Sequence, residues 1–130
     1  MAARFPRTDL QAFAESVRAP FPHVVKDVRG LLGPKLVAYI VGITDVRALQ
    51  QWIDGLREPK DPEVEKRLRL AAQLARMIAA HDNGAVAQAW FQGLNPQLSD
   101  RSPARLLREG DVSDVGPKLL AAARAFLIGG

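Results

Sequence analysis

An all-α fold is what this sequence predicts, and three observations predict it. Apolar residues recur at i, i+3, i+4 and i+7 in segment after segment. Prolines and glycines interrupt that pattern where helices start and stop. No stretch alternates apolar and polar residues as a half-buried strand does. The 130 residues are enough for one modest domain or two small ones sharing a core, and 48% hydrophobic with 25% charged residues is an ordinary globular balance. The organisation expected is an N-terminal helix-turn-helix bundle over residues 1–60, joined around Arg57–Asp61 to a small C-terminal helical module over residues 61–130.

Thr8 followed by Gln11 forms a capping box for a first helix, which carries Leu10, Phe13, Ala14 and Val17 on one face. Pro20 and Pro22 end it. A second helix runs from about His23 to Leu32 and turns Val24, Val25, Val28 and Leu32 inward. Gly33-Pro34 then supplies a stop and a first-turn proline for the next. Pro34–Val41 carries Leu36, Val37, Ile40 and Val41, and Gly42-Ile43-Thr44 makes a tight turn. Asp45–Asp54, capped by Thr44 or Asp45, turns Val46, Leu49, Trp52 and Ile53 to one side.

Asp61-Pro62-Glu63 opens a long helix that reaches about His81. Val64, Leu68, Ala71, Ala75 and Ile78 form one apolar stripe on it; Leu70, Leu74 and Met77 form a second. Two stripes point to burial on two sides, a core and a partner helix, and hence to a homodimer. Asp82 is the expected cap of a further helix through Phe91. Ser102-Pro103 starts a short helix through Glu109. Ser113 is the expected cap of the last, from Asp114 to about Ile128, where Pro117 would fall among the first-turn positions without an intrahelical partner.

Composition narrows the function classes. The net charge is +4, with nine basic against six acidic residues in 1–60 and nine against eight in 61–130, so contact with nucleic acid is permitted and favours the first half. The chain has no cysteine, which excludes disulfides, thiol nucleophiles and thiolate metal sites. MAARFPRTDL lacks a signal-peptide core, and the longest apolar run, Leu36–Val41, is far short of the ~20 residues of a membrane span. A cytoplasmic protein with no membrane contact is therefore expected. There is no glycine-rich phosphate loop, and His23 and His81 stand in no metal-ligand spacing. Asp100, Asp111 and Asp114 read as caps and turn residues rather than a convergent acid–base set. The expectation is no enzyme, no cofactor, no metal and no small-molecule substrate.

Leu32 to Pro59 reads as helix, glycine turn, helix. In a DNA-binding helix-turn-helix the second helix enters the major groove while the first crosses the backbone. Thr44, Asp45, Arg47, Ala48 and Gln51 then lie near the exposed start of the second helix, where Gln reads adenine and Arg reads guanine. Lys35, Arg57 and Lys60 are the candidates for phosphate. A plain helical hairpin has the same pattern, and Asp45 and Asp54 place acid close to any phosphate.

The stretch AWFQGLNPQLSDRSPARLLREG, from Ala89 to Gly110, is the most distinctive. Trp90 and Phe91 are neighbours and point about 100° apart on a helix, so one can fill the core and the other an interface; both filling the core is the simpler alternative. Gly93 ends that helix, Asn95-Pro96 forces an extended or turn geometry, Leu98 anchors the loop, and Asp100 or Ser102 caps a helix whose Leu106 and Leu107 pack inward. An aromatic-ended helix, an N-P-x-L turn and a short S-P-x-x-L-L-x-x-G helix, carried here by Trp90, Phe91, Asn95, Pro96, Leu98, Ser102, Pro103, Leu106, Leu107 and Gly110, resemble the C-terminal segment of the Xre/MbcA/ParS antitoxins. The likeness covers about Val64 to Leu127. The form A-Y-I-V-G-I-T…L-Q-Q-W-I-D-G…P, with Trp52, Gly55 and Pro59, looks like the Xre-type helix-turn-helix and extends it back to about residue 32.

That resemblance implies a partner, a RES-domain toxin that consumes or transfers from NAD, whose active-site cleft the antitoxin's C-terminal region covers. Here the covering element is the last helix, with Ala121, Arg124, Ala125, Leu127, Ile128 and the tail Gly129-Gly130, and the logic is steric occlusion of a cofactor pocket. Trp90, Phe91, Asn95, Pro96 and Leu98 complete the expected toxin-binding set. Operator DNA is the further partner implied, through which the module would repress its own operon. A helix-turn-helix regulator without a toxin is the alternative, and an adaptor whose helix-turn-helix is purely structural is a third.

Overall fold

Seven α-helices and one 3₁₀ turn make up residues 19–129, the residues that the computed structural model of the chain describes. They are α1 (Phe21–Leu32), α2 (Pro34–Val41), α3 (Arg47–Ile53), α4 (Pro62–His81), α5 (Gly84–Gln92), the 3₁₀ turn Pro96–Leu98, α6 (Pro103–Glu109) and α7 (Val112–Gly129). No strand occurs among the described residues, and the all-α class stands. The helix expected over Leu10–Val17 and the terminal Gly130 lie outside them.

Local chemistry explains most helix starts. Proline stands in the first turn of α1, α2, α4, the 3₁₀ turn and α6, where its missing N–H would have had no partner anyway. Asp61 caps α4 by accepting from the Glu63 N–H at 2.9 Å, and Ser102 caps α6 by accepting from the Arg105 N–H at 3.1 Å. Gly33 and Gly42 end α1 and α2 at φ 88° and 77°, a region that favours glycine.

Four starts differ from the sequence expectation by one or two residues; the first is α1, which begins at Phe21 with Pro22 in its first turn and not at about His23. Asn83, not Asp82, caps α5. Asp111, not Ser113, opens α7, its carboxylate accepting from the Ser113 N–H at 2.8 Å. Asp45 accepts from the Arg47 N–H at 3.0 Å, so α3 begins at Arg47 and Val46 sits in the turn, 41% exposed instead of facing the core. The earlier start of α7 also leaves Pro117 inside the helix, beyond its first turn. Pro117 and Ser113 are both exposed, so water can satisfy the carbonyl that proline leaves without a donor.

The core is continuous from Val24 to Ala123 and is built around α4. α1 and α7 pack most extensively on α4, α5 joins them, and α2 packs on α6. Segments 1–60 and 61–130 therefore share one hydrophobic core among the described residues. Hydrogen bonds and ion pairs cross between them as well: Asp27 pairs with Arg76, Gln88 Nε2 donates to the Leu31 carbonyl at 3.1 Å, and Arg69 donates to the Ala19 carbonyl at 2.9 Å. This packing removes the reason for expecting a partner helix on α4. Leu70, Leu74 and Met77 are buried within the chain, with Leu70 lying against Gly116 of α7. Both stripes of α4 are used internally.

Candidate functional site

Two surfaces carry the residues singled out by sequence. The first is the exposed side of α3. Thr44, Asp45 and Arg47 are exposed at its start, whereas Ala48 and Gln51 are half-buried and Ala48 packs against the core. α3 rests mainly on α1. Its polar groups are engaged with one another. Arg47 binds both carboxylate oxygens of Asp45, with contacts of 3.0–3.1 Å. Arg57 donates to Gln51 Oε1 at 2.8 Å, and Arg29 donates to Gln50 Oε1 at 2.7 Å, while Gln50 donates to Asp54 at 2.9 Å. A base contact by Arg47 or Gln51 must compete with these bonds for the orientation of the side chain. Lys35 is on α2, exposed and apart from this network.

The hydrogen bonds from the Arg47 side chain, more than any other cause, hold the Asp45 carboxyl below its ordinary value of 3.8. The folded value is the depressed one, so the stabilisation is present above the unfolded value and is lost as pH falls through the folded value. A carbon-detected NMR titration is expected to place the Asp45 midpoint below 3.8 and to return it toward that value in Arg47→Gln.

The second surface is an apolar groove of about 540 Å³ between the end of α5, the loop after it and the C-terminal half of α7. Trp90 forms part of its wall with Ala89, Leu94 and Pro96, and Ala122 and Phe126 of α7 face them. Trp90 stacks edge-on against Phe91 at 5.2 Å and 84°. The two neighbours are both buried: Phe91 is 0% and Trp90 7% exposed. Phe91 and Leu98 are therefore core residues, and neither can be a direct contact of a partner. Trp90 reaches the groove wall, and its buried indole Nε1 has no hydrogen-bond partner among the described residues.

Asn95 explains the N-P-x-L turn. Its side chain accepts from the Gln97 N–H at 2.9 Å, its carbonyl accepts from Leu98 and Asp100, and its N–H donates to Arg101. The loop thus closes on itself, helped by left-handed φ values of 57° at Ser99 and 62° at Asp100. Leu98 plugs it into the core, and Leu94 and Pro96 are left at the groove, Leu94 76% exposed. Sequence reading did not single out Leu94. It belongs to no helical face, and an apolar residue wedged between Gly93 and Asn95 was the one available sign.

At the end of α7, Ile128 is 88% exposed, Gly129 and Arg124 are exposed, and Leu127 is half-buried against the core. Trp90, Asn95 and Pro96 thus meet Ala122, Ala125 and Phe126 of α7 at the groove, and Ile128 follows two residues beyond Phe126. Among the described residues no three His, Asp or Glu side chains group as metal ligands, and no helix is long and apolar enough to cross a membrane. Comparison of the chain with protein-family models, curated proteins and solved structures finds no match.

Proposed function

We propose that this chain is an antitoxin that neutralises a RES-like, NAD-consuming toxin by covering the toxin's active site with its C-terminal face. The observation that carries the reading is the apolar face itself: the groove walled by Trp90, Pro96 and Leu94 lies beside the end of α7, where Ile128 is almost fully exposed. Exposed apolar side chains around a concave apolar surface gain most when a partner removes them from water. The self-closed loop and the core residues Phe91 and Leu98 anchor the segment that carries Trp90, Leu94 and Pro96, which lowers the ordering cost of association. The order of motifs from Trp90 to Gly110 gives the partner its class.

In this reading the groove grips the toxin and the end of α7 occludes it. Leu127, Ile128 and Gly129 would fill the space that the nicotinamide cofactor needs, and Arg124 would meet polar groups at the rim. Occlusion needs only shape and apolar contact, in keeping with a surface that brings no convergent acid, base or nucleophile to one point.

Co-expression with the protein encoded beside it tests both halves. The full chain is expected to form a stable complex and to stop that neighbour's NAD loss. A chain ending after Phe126 is expected to bind and not to silence. Leu94→Asp is expected to weaken the complex at least about tenfold while leaving thermal stability unchanged, because the residue is exposed. Absence of a complex, together with a neighbour that does not consume NAD, overturns the reading and leaves a DNA-binding regulator.

A further inference from the structure

We propose that α2 and α6 together form a ridge that grips the phosphates of duplex DNA, with Arg108 stacked on Tyr39 as its fixed point. The proposal is independent of the antitoxin reading and moves the polyanion contact away from α3. On α3 and in the segment after it these cations are already engaged: Arg47 with Asp45, and Arg57 with Gln51.

The ridge is built by packing across the two halves of the chain. α2 lies against α6. The inward residues of α2 are Leu36, Val37, Ile40 and Val41, which leaves Lys35 and Tyr39, four residues apart, on its outer face. Arg105 and Arg108, three apart, are the outer residues of α6. The two rows are joined where the Arg108 guanidinium lies 4.6 Å from the Tyr39 ring centre and donates to the Tyr39 carbonyl at 2.8 Å. α2 and α6 carry one carboxylate between them, Glu109, which pairs with Arg105 at 3.2 Å.

A stacked arginine suits this task. The ring and the carbonyl fix the guanidinium plane and occupy one of its five N–H donors, and the remaining edge matches a phosphate's two oxygens. Its side-chain entropy is already reduced, so less is lost on binding. Lys35 adds a point charge along the row. A residue of the C-terminal half, Arg108, thereby joins the phosphate contact.

Fluorescence anisotropy with a labelled mixed-sequence duplex of about 20 base pairs, between 50 and 200 mM salt, tests it. The full chain is expected to bind with a log–log salt slope of about −2 to −3, at about −0.9 per phosphate neutralised. Lys35→Gln/Arg108→Gln is expected to weaken binding at least about tenfold at low salt and to flatten the slope by about 2. Arg108→Lys keeps most of the slope because it keeps the charge, and Arg47→Gln/Arg57→Gln leaves it unchanged. Circular dichroism checks that each variant remains folded. The proposal is overturned if the full chain does not bind the duplex, if the folded ridge variant binds like the parent, if the Arg47/Arg57 variant is the one that fails, or if a single-stranded RNA of equal length binds more tightly.

Discussion

Phe91→Ala is expected to lower the free energy of unfolding by about 3–5 kcal/mol. Phe91 is the largest of the fully buried side chains and sits edge-on to Trp90, so its truncation removes transfer free energy, leaves a cavity and breaks an aromatic pair. Against a total of about 5–15 kcal/mol for a domain, that is about a fifth of the stability or more. In a thermal scan the midpoint should fall on the order of 10–20 °C. Leu94→Ala, three residues along, should change it by no more than about 0.5 kcal/mol, because Leu94 is exposed. The contrast separates a residue that builds the face from one that lies on it. A Phe91→Ala chain as stable as the parent would show that the ring is not in the core.

Gly110→Ala is expected to meet the tightest contacts of any glycine-to-alanine change among the described residues. Gly110 has φ −97°, open to any residue, so backbone freedom is not its reason for being there. Space is. A Cβ at Gly110 would collide with Val115 Cγ1 and stand 2.8 Å from the Leu106 carbonyl oxygen, the same oxygen that accepts the Gly110 N–H at 2.8 Å. Val115 can rotate away; the carbonyl belongs to the last turn of α6 and cannot. A loss of about 1–3 kcal/mol is expected, read as a lower urea midpoint with an unchanged slope. In a Val115→Ala background the glycine-to-alanine step should recover only in part, since the carbonyl contact remains. Full recovery would show that the Val115 collision alone sets the cost.

The order of helices and most of their inward faces were legible in the sequence, because periodicity and first-turn prolines act locally. Pro34–Val41 and Pro103–Glu109 were read to the residue, since proline marks each start and glycine each stop. Ends fixed by competing polar side chains were not. Asp82 and Asn83 are adjacent candidates for one cap, and only the backbone angles choose between them. Val46 was assigned inward because spacing cannot tell that an Asp45 carboxylate holds the chain in a turn until Arg47. The second stripe of α4 looks like a partner surface in the sequence because its cover, α7, arrives more than 30 residues later in the chain. Of the candidate site, the sequence marks Trp90, Asn95 and Pro96 but not the groove that they line with α7. The groove depends on Leu94 and Phe126, one outside any helical period and the other brought beside Trp90 only by the packing of α7. The pairing of Arg108 with Tyr39 spans 69 residues and leaves no mark on either helix.

The single core has a thermodynamic consequence for any molecule that settles in the groove. Helices on both sides of residue 60 bury their side chains against α4, so they unfold as one cooperative unit among the described residues. A ligand that binds only the folded form raises the stability of that whole unit, by about 2.7 kcal/mol when its free concentration is 100 times its dissociation constant. The increment is shared by α1, α2 and α3, which do not touch it. Hydrogen exchange in those three helices would therefore slow on occupancy of a groove at the opposite end of the chain, with no displacement of any atom between the two.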